Sequence, residues 1–148
     1  MQQIFLFILI IILKNFALAG EIILIDEAGL YQEITTTARD EKKVLLFFTS
    51  WCPHCKNTVL QLTQDFPKDE RVFIISLDKD FKKLSSSKDH YPDGMPIYFL
   101  TSPDEIRNVF SRFKIKYGNS VPHITILNSD NKILKDNATL RQVSRYLK

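Results

Sequence analysis

The sequence predicts one α/β domain with a central mixed β-sheet flanked by helices, and three observations support this fold class. Short apolar runs alternate with segments whose apolar residues recur at helical spacing, which is the pattern of parallel strands joined by helices. Towards the C terminus, two apolar runs are separated only by the turn residues 128–131, and this predicts an antiparallel hairpin. A length of 148 residues, with 45% hydrophobic and 25% charged residues, is typical of a single globular domain.

The first half of the domain is predicted from apolar runs and from residues that start or stop helices. Residues 21–26 are suited to an edge strand, and Asp26 is a suitable N-cap for a helix over 27–42. Residues 44–49 are mainly aliphatic and aromatic, as in a strand buried on both faces. The remaining elements of this half are a helix from Pro53, ended by Pro67, and a buried strand over 71–77.

The second half begins with the polar segment 78–94, which we expect to be a loop with at most one helical turn. Residues 97–100 are a candidate for a short strand. The other expected elements are a helix that starts at Ser102 or Asp104 and extends to Phe113, strands over 121–127 and 132–135, and a terminal helix over 138–147. Without residues 97–100, the expected order is β-α-β-α-β-α-β-β-α.

The N-terminal segment is predicted to be a signal peptide. Residues 4–13 form an unbroken apolar run, which is too short for a bilayer span of about 20 residues but fits the core of a secretory signal. A small-x-small pattern at 17–19 predicts cleavage before Gly20. The expected organisation is a signal peptide over 1–19 and one domain over 20–148, with an uncleaved membrane anchor as the alternative. Export then takes the protein to the periplasm if it is bacterial, and out of the cell otherwise.

The charge of the chain gives no reason to expect a nucleic-acid partner. The formal net charge is +3, and pairs such as Lys42-Lys43 and Lys82-Lys83 are scattered rather than gathered into a basic patch. We expect no nucleic acid, no membrane contact unless the N-terminal segment stays attached, and a monomer.

Cys52 and Cys55 are the only cysteines of the chain, and their spacing is its most informative feature. They lie where the predicted strand 44–49 gives way to the helix that Pro53 opens. Proline is tolerated in the first turn of a helix, and the positive end of the helix dipole favours the thiolate of the first cysteine. Because a thiolate is the nucleophile of thiol–disulfide exchange, the motif predicts a redox protein.

Two structural interpretations of the cysteine pair are weaker, and one alternative function stays open. A disulfide between residues so close in sequence removes little entropy from the unfolded chain. No second C-x-x-C and no H-x-x-x-H is present to complete a four-ligand zinc site. The alternative function is a copper(I)-binding, metallochaperone-like module, in which Cys52 and Cys55 supply soft thiolates and His54 or His123 supplies an imidazole.

Two motifs together resemble the thioredoxin-like fold. They are W-C-P-H-C at 51–55, after the first strongly buried strand, and the dipeptide Val121-Pro122 before the hairpin. The resemblance covers about residues 21–148. It implies that the peptide bond before Pro122 is cis, and that this loop faces the cysteines. It also implies that Val121 and Pro122 offer backbone groups to an extended substrate chain, in the manner of an added strand.

The dipeptide between the cysteines is similar to that of periplasmic disulfide oxidants of the Dsb type. His54 could place a cation or an N–H donor near the Cys52 sulfur, which stabilises the thiolate and makes the disulfide a stronger oxidant. Leu46 stands where thioredoxins have a buried aspartate, and Thr58 stands where periplasmic reductases of cytochrome c maturation often have a glutamate. The two bases that assist reduction are therefore absent from their usual places, which favours an oxidase or isomerase. The small size of the chain, in contrast, favours a thioredoxin-like reductase, so the direction of exchange stays open.

We expect a distinct role for each residue of the motif. Cys52 is the nucleophile and forms a mixed disulfide with a partner protein, and Cys55 is more buried and attacks to release it. Pro53 fixes the start of the helix, and Trp51 packs beside the thiols and covers them. The implied partners are protein thiols and disulfides together with a redox partner protein. No cofactor and no metal is implied.

Overall fold

Six strands form one mixed β-sheet in the computed structural model, which describes residues 20–148. In chain order they are β1 (Ile22–Ile25), β2 (Lys43–Phe48), β3 (Val72–Ser76), β4 (Ile97–Leu100), β5 (His123–Leu127) and β6 (Ile133–Lys135). Their order across the sheet is β1-β4-β3-β2-β5-β6. The first four strands in this order are parallel, whereas β5 pairs antiparallel with both β2 and β6. The predicted mixed sheet is therefore confirmed, and β1 lies at an edge as expected.

Residues 20–148 contain five α-helices, of which four lie between strands and the fifth follows the last strand. In chain order they are α1 (Glu27–Thr36), α2 (Pro53–Asp65), α3 (Phe81–Ser87), α4 (Ile106–Phe113) and α5 (Leu140–Leu147). Two short 3-10 segments, Lys88–His90 and Pro103–Glu105, precede β4 and α4 respectively. No helix in this part of the chain is long and apolar enough to cross a bilayer. The predicted signal peptide over 1–19 lies outside the described residues.

The central strand β2 divides the hydrophobic core into two layers. Val44, Leu46 and Phe48 point to the face covered by α2 and α5, whereas Leu45 and Phe47 point to the face covered by α1 and α4. All five side chains are fully buried. This explains why the segment reads as a continuous apolar run, since alternate residues of a strand face opposite sides of the sheet.

The expected element order lacked one strand and one helix. Residues 97–100 do form a strand, β4, which lies between β1 and β3. Within the predicted loop, α3 forms over two turns because Asp80 caps it by accepting a hydrogen bond from the Lys82 amide at 2.9 Å. Only Leu84 of this helix is buried, so its sequence carries no apolar periodicity from which the helix could be predicted.

The first helix is shorter than predicted. Asp26 caps it as expected, but α1 ends at Thr36 rather than near residue 42. Thr37 is extended, and Ala38 and Asp40 have positive φ angles of 48° and 67°. Ala38 is nevertheless buried, so its apolar position belongs to the turn that leads into β2 rather than to the helix.

Candidate functional site

The two cysteines lie at the carboxyl end of β2, where the chain turns into α2. Pro53 occupies the first turn of α2, as predicted, and Cys52 is its N-cap. The Cys52 amide donates a hydrogen bond to the Thr49 carbonyl at 3.3 Å, which closes the turn between strand and helix. This end of the sheet also carries the carboxyl end of β3 and the start of β5, because β3 is parallel to β2 and β5 is antiparallel to it.

The Cys52 sulfur lies between the start of the helix and the loop before β5. It accepts a hydrogen bond from the Cys55 amide at 3.2 Å, and it lies 3.9 Å from the Val121 carbonyl oxygen. Cys52 is 7% exposed, and both cysteines are free thiols in this structure. An N–H group aimed at the sulfur from a helix N-terminus stabilises a thiolate.

Cys55 lies beneath Cys52 and is fully buried. Burial raises the pKa of the Cys55 thiol to about 12, and its hydrogen bond with Cys52 adds to this rise. Thr49 acts in the opposite sense and lowers the pKa of this thiol. The two thiols therefore differ in the way that exchange chemistry requires. Cys52 is accessible to a partner protein, whereas Cys55 stays protonated until the second step.

The peptide bond between Val121 and Pro122 is cis, as the resemblance implied. The segment faces the cysteines because β5 begins at the next residue, His123, which lies opposite Phe47 near the end of β2. Both Val121 and Pro122 are partly exposed. The structure thus brings together Cys52, Cys55, Val121 and Pro122, which are far apart in the chain.

Trp51 and His54 are both exposed beside the thiols. Trp51 is not the packing residue that was expected, because 71% of its surface is open to solvent. It lies in the turn between β2 and α2, and its predicted part in the surface that covers the thiols stays a prediction. Within residues 20–148, the His54 imidazole makes no hydrogen bond, and its predicted effect on Cys52 remains a prediction.

Asp78 is a site residue that the sequence did not reveal. Its buried carboxylate accepts hydrogen bonds from the Ser50 amide at 2.9 Å and from the Ser50 hydroxyl at 2.7 Å. The Ser76 hydroxyl donates a third, at 2.7 Å. Asp78 follows the carboxyl end of β3, at the same end of the sheet as the cysteines. This position after a buried strand was the signal that could have identified it. The carboxylate fixes the loop that carries Cys52.

A second polar cluster anchors the other side of the site. His123 is buried, and its Nε2 atom lies 2.7 Å from Asp136 Oδ1. Asp136 also accepts hydrogen bonds from the Thr125 hydroxyl at 2.9 Å and from the Lys116 amide at 2.8 Å. These contacts tie the chain on both sides of Pro122 to the residue after β6. His123 is thus a buried polar residue held by a carboxylate.

The copper-binding alternative finds no support in this geometry. Across residues 20–148, no group of three or more histidine, cysteine, aspartate or glutamate side chains is arranged to hold a metal ion. His123 is held by Asp136, and His54 projects into solvent.

Comparisons with known proteins agree with this architecture. Solved structures with the same fold include a thioredoxin-like protein from Bacteroides caccae, which is 16% identical with a TM-score of 0.58 over 82% of this chain. This chain spans only 44% of that protein. The thioredoxin domain of a thiol-disulfide oxidoreductase from Bacteroides vulgatus is 17% identical, with a TM-score of 0.54 over 84% of this chain and 91% of the domain. A thioredoxin from Wuchereria bancrofti is 19% identical, with a TM-score of 0.53 over 78% of this chain and 85% of its own.

At these identities the likeness establishes the fold, and the sequence supplies the family. No curated protein sequence matches the chain. The model of the thioredoxin-like family does match it, over residues 40–133. This match includes both cysteines and the cis-proline, and it shows that the chain belongs to the thioredoxin-like family.

Proposed function

We propose that this chain is an exported thiol–disulfide oxidoreductase that exchanges disulfides with partner proteins through Cys52 and Cys55. The observation that carries the proposal is the position of the Cys52 sulfur. It receives the Cys55 amide from the start of α2 at 3.2 Å and faces the Val121 carbonyl at 3.9 Å. A nucleophile is thereby placed next to a backbone segment that can dock an extended chain.

The exchange proceeds through a mixed disulfide. The Cys52 thiolate attacks one sulfur of a partner's disulfide, the partner's S–S bond breaks, and its other sulfur leaves as a thiolate that takes up a proton. Cys55 then loses its proton and attacks the Cys52 sulfur. The Cys52–Cys55 disulfide forms, and the partner's first sulfur leaves in turn. The partner gains two electrons that the cysteine pair loses, and the same steps in reverse donate a disulfide.

The surroundings of Cys52 support a protein as the substrate. Val121 and Pro122 are partly exposed and present backbone next to the sulfur. Trp51 directly precedes Cys52 and adds a large apolar surface, with 71% of it exposed. Exposed aromatic side chains are enriched at protein interfaces. An extended segment of the partner would pair with the backbone of this loop and contact the indole ring.

Trapping of the mixed disulfide tests the mechanism. Cys55→Ser removes the attacking thiol of the second step, so it is expected to accumulate covalent complexes with partner proteins. Cys52→Ser removes the nucleophile and is the matched control, which should form none. Non-reducing electrophoresis of cell extracts, after rapid acid quenching, measures both. If Cys55→Ser formed no more complexes than Cys52→Ser, the mechanism would be refuted.

The reduction potential of the pair gives the direction of exchange. Equilibration of the purified protein with glutathione measures it. A value near −120 mV is that of a strong oxidant that donates disulfides, whereas a value near −270 mV is that of a thioredoxin-like reductant, both taken as approximate reference points. Signal-peptide cleavage is tested separately by the mass of the purified protein, which should correspond to a chain that begins at Gly20.

A further inference from the structure

Thr49 carries a buried hydroxyl group without a hydrogen-bond partner. The residue is 7% exposed and lies in the turn between β2 and α2. Within residues 20–148, its Oγ1 atom makes no well-formed hydrogen bond. Buried polar groups are nearly always paired, and an unpaired one at a functional site suggests a partner that forms only in another state of the site.

The hydroxyl lies in the same turn as the two cysteines, because the Cys52 amide donates a hydrogen bond to the Thr49 carbonyl at 3.3 Å. Thr49 lowers the pKa of the Cys55 thiol, against the larger rise caused by burial and by Cys52. Its hydroxyl forms no hydrogen bond with the protonated thiol. A hydroxyl proton rotates about its C–O bond, so it can turn towards the sulfur when Cys55 becomes negatively charged.

Two positions that could supply a base to assist the ionisation of Cys55 do not do so. Leu46 is fully buried and offers no polar atom. The oxygens of Asp78 are engaged with Ser50 and Ser76. The second step of exchange nevertheless requires Cys55 to lose its proton in surroundings that disfavour charge.

We propose that the Thr49 hydroxyl donates a hydrogen bond to the Cys55 thiolate and thereby speeds the release of the partner from the mixed disulfide. Thr49 keeps its own proton, while the proton of Cys55 passes to solvent. The Cys55 sulfur then bonds to the Cys52 sulfur, and the partner's sulfur leaves with the electron pair and takes up a proton. This inference rests on the proposed function and assigns the group that supports its second step.

Two measurements test the assignment, and they use matched variants. Thr49→Val removes the hydroxyl at similar shape, and Thr49→Ser keeps it. Thr63→Val is the control, because Thr63 is also a buried threonine but donates to the Val59 carbonyl, at 2.9 Å, away from the sulfurs. Urea unfolding first verifies that each variant is folded.

The first measurement is the rate at which iodoacetamide alkylates Cys55 in a Cys52→Ser background, over a series of pH values. This rate follows the thiolate fraction. Thr49→Val is expected to lower it by roughly tenfold at every pH below the thiol's pKa, as befits the loss of one hydrogen bond to a charged group. Thr49→Ser should retain most of the rate, and Thr63→Val all of it. Equal rates for threonine and valine at position 49 would overturn the assignment.

The second measurement is the single-turnover release of a small mixed disulfide formed on Cys52 with both cysteines present. Thr49→Val should slow this release by a similar factor and slow its formation much less. A protein that forms no mixed disulfide would refute the proposed function, and the alkylation rates would still decide the role of Thr49. Normal release by Thr49→Val would refute the role of Thr49 alone.

Discussion

Two cysteines three positions apart differ in chemistry because a helix begins between them. Cys52 caps the helix and receives an amide from its first turn. Cys55 lies one turn further on, on the face that packs against the core, and is fully buried. The same spacing places one sulfur at the start of the helix, next to an amide donor, and the other where burial disfavours its anion. The asymmetry of the pair is therefore a property of the local fold and needs no further charged group.

His54→Ala is expected to make the cysteine pair a weaker oxidant. If the imidazole stabilises the Cys52 thiolate, its removal destabilises the reduced form and moves the reduction potential to a more negative value. A tenfold change in the equilibrium constant corresponds to about 30 mV, and we expect a shift of that order. Equilibration with glutathione measures it. His90→Ala is the control, since His90 is an exposed histidine on a 3-10 segment outside the cysteine motif, and an unchanged potential in His54→Ala would contradict the tuning role.

Asp78→Ala is expected to destabilise the fold and slow the exchange together. The change leaves the Ser50 amide and the hydroxyls of Ser50 and Ser76 without their acceptor. Loss of such a buried network costs about 2–4 kcal/mol, and the loop that carries Cys52 loses its anchor. Urea unfolding gives the first effect, and the rate of mixed-disulfide formation gives the second. Asp78→Asn, which keeps one acceptor oxygen, should lie between wild type and Asp78→Ala, and a fully stable Asp78→Ala would contradict this account.

Among the elements, β5 does most to assemble the site, because it is the strand that runs antiparallel to β2. Its start therefore meets the end of β2, so that His123 lies opposite Phe47 and Val121 reaches the Cys52 sulfur. The polar cluster at Asp136 holds this strand start to the residues before and after it. The substrate-facing loop is thus positioned by the sheet order and by one carboxylate.

The pH dependence of stability should reveal the contribution of Asp136. Burial alone would raise the pKa of this carboxyl, but hydrogen bonds from the Lys116 amide, His123 and Thr125 outweigh it and hold the pKa below its ordinary value. A lowered pKa means that the stabilisation is complete above the unfolded-state value of about 3.9 and is lost as the pH falls through the folded-state value.

Asp136→Asn provides the measurement. Its loss of unfolding free energy relative to wild type is expected to be largest at neutral pH and to shrink below about pH 4. Urea unfolding at several pH values checks this. The same comparison is made in a His123→Gln background, because His123 is the titratable side chain that faces the carboxylate. This separates the contribution of Asp136 from that of its partner. A difference that stays constant with pH would show that the carboxylate charge does not contribute.

The sequence was most informative where a single local pattern decides the structure. Pro53 after an apolar run predicts the strand end and the helix start, and the cysteine spacing predicts the site. The roles of Asp78 and Asp136 were not predictable in this way, because each depends on which elements the sheet order brings together. For example, Ser50 and Asp78 meet only because β2 and β3 are parallel neighbours.

At the scale of the whole molecule, one thermodynamic cycle links the reduction potential of the cysteine pair to the stability of the fold. The difference in unfolding free energy between reduced and oxidised protein equals the difference between the reduction potentials of the folded and unfolded cysteine pairs, with about 1.4 kcal/mol for every 30 mV. The short loop that the disulfide closes constrains the unfolded chain little. The folded site therefore determines which form is more stable.

We expect the reduced protein to be more stable to unfolding than the oxidised protein. In the reduced form the Cys52 sulfur accepts the Cys55 amide at 3.2 Å from the start of α2, and this contact stabilises a thiolate. A sulfur in a disulfide cannot ionise, so the oxidised form cannot gain this stabilisation. Denaturant unfolding of both forms measures the difference, and the potential measured with glutathione must agree with it through the thermodynamic cycle. The protein with both cysteines changed to serine is the control, since oxidant should not alter its unfolding. Greater stability of the oxidised form would contradict the expectation, and it would identify the pair as a reductant that depends on an electron donor.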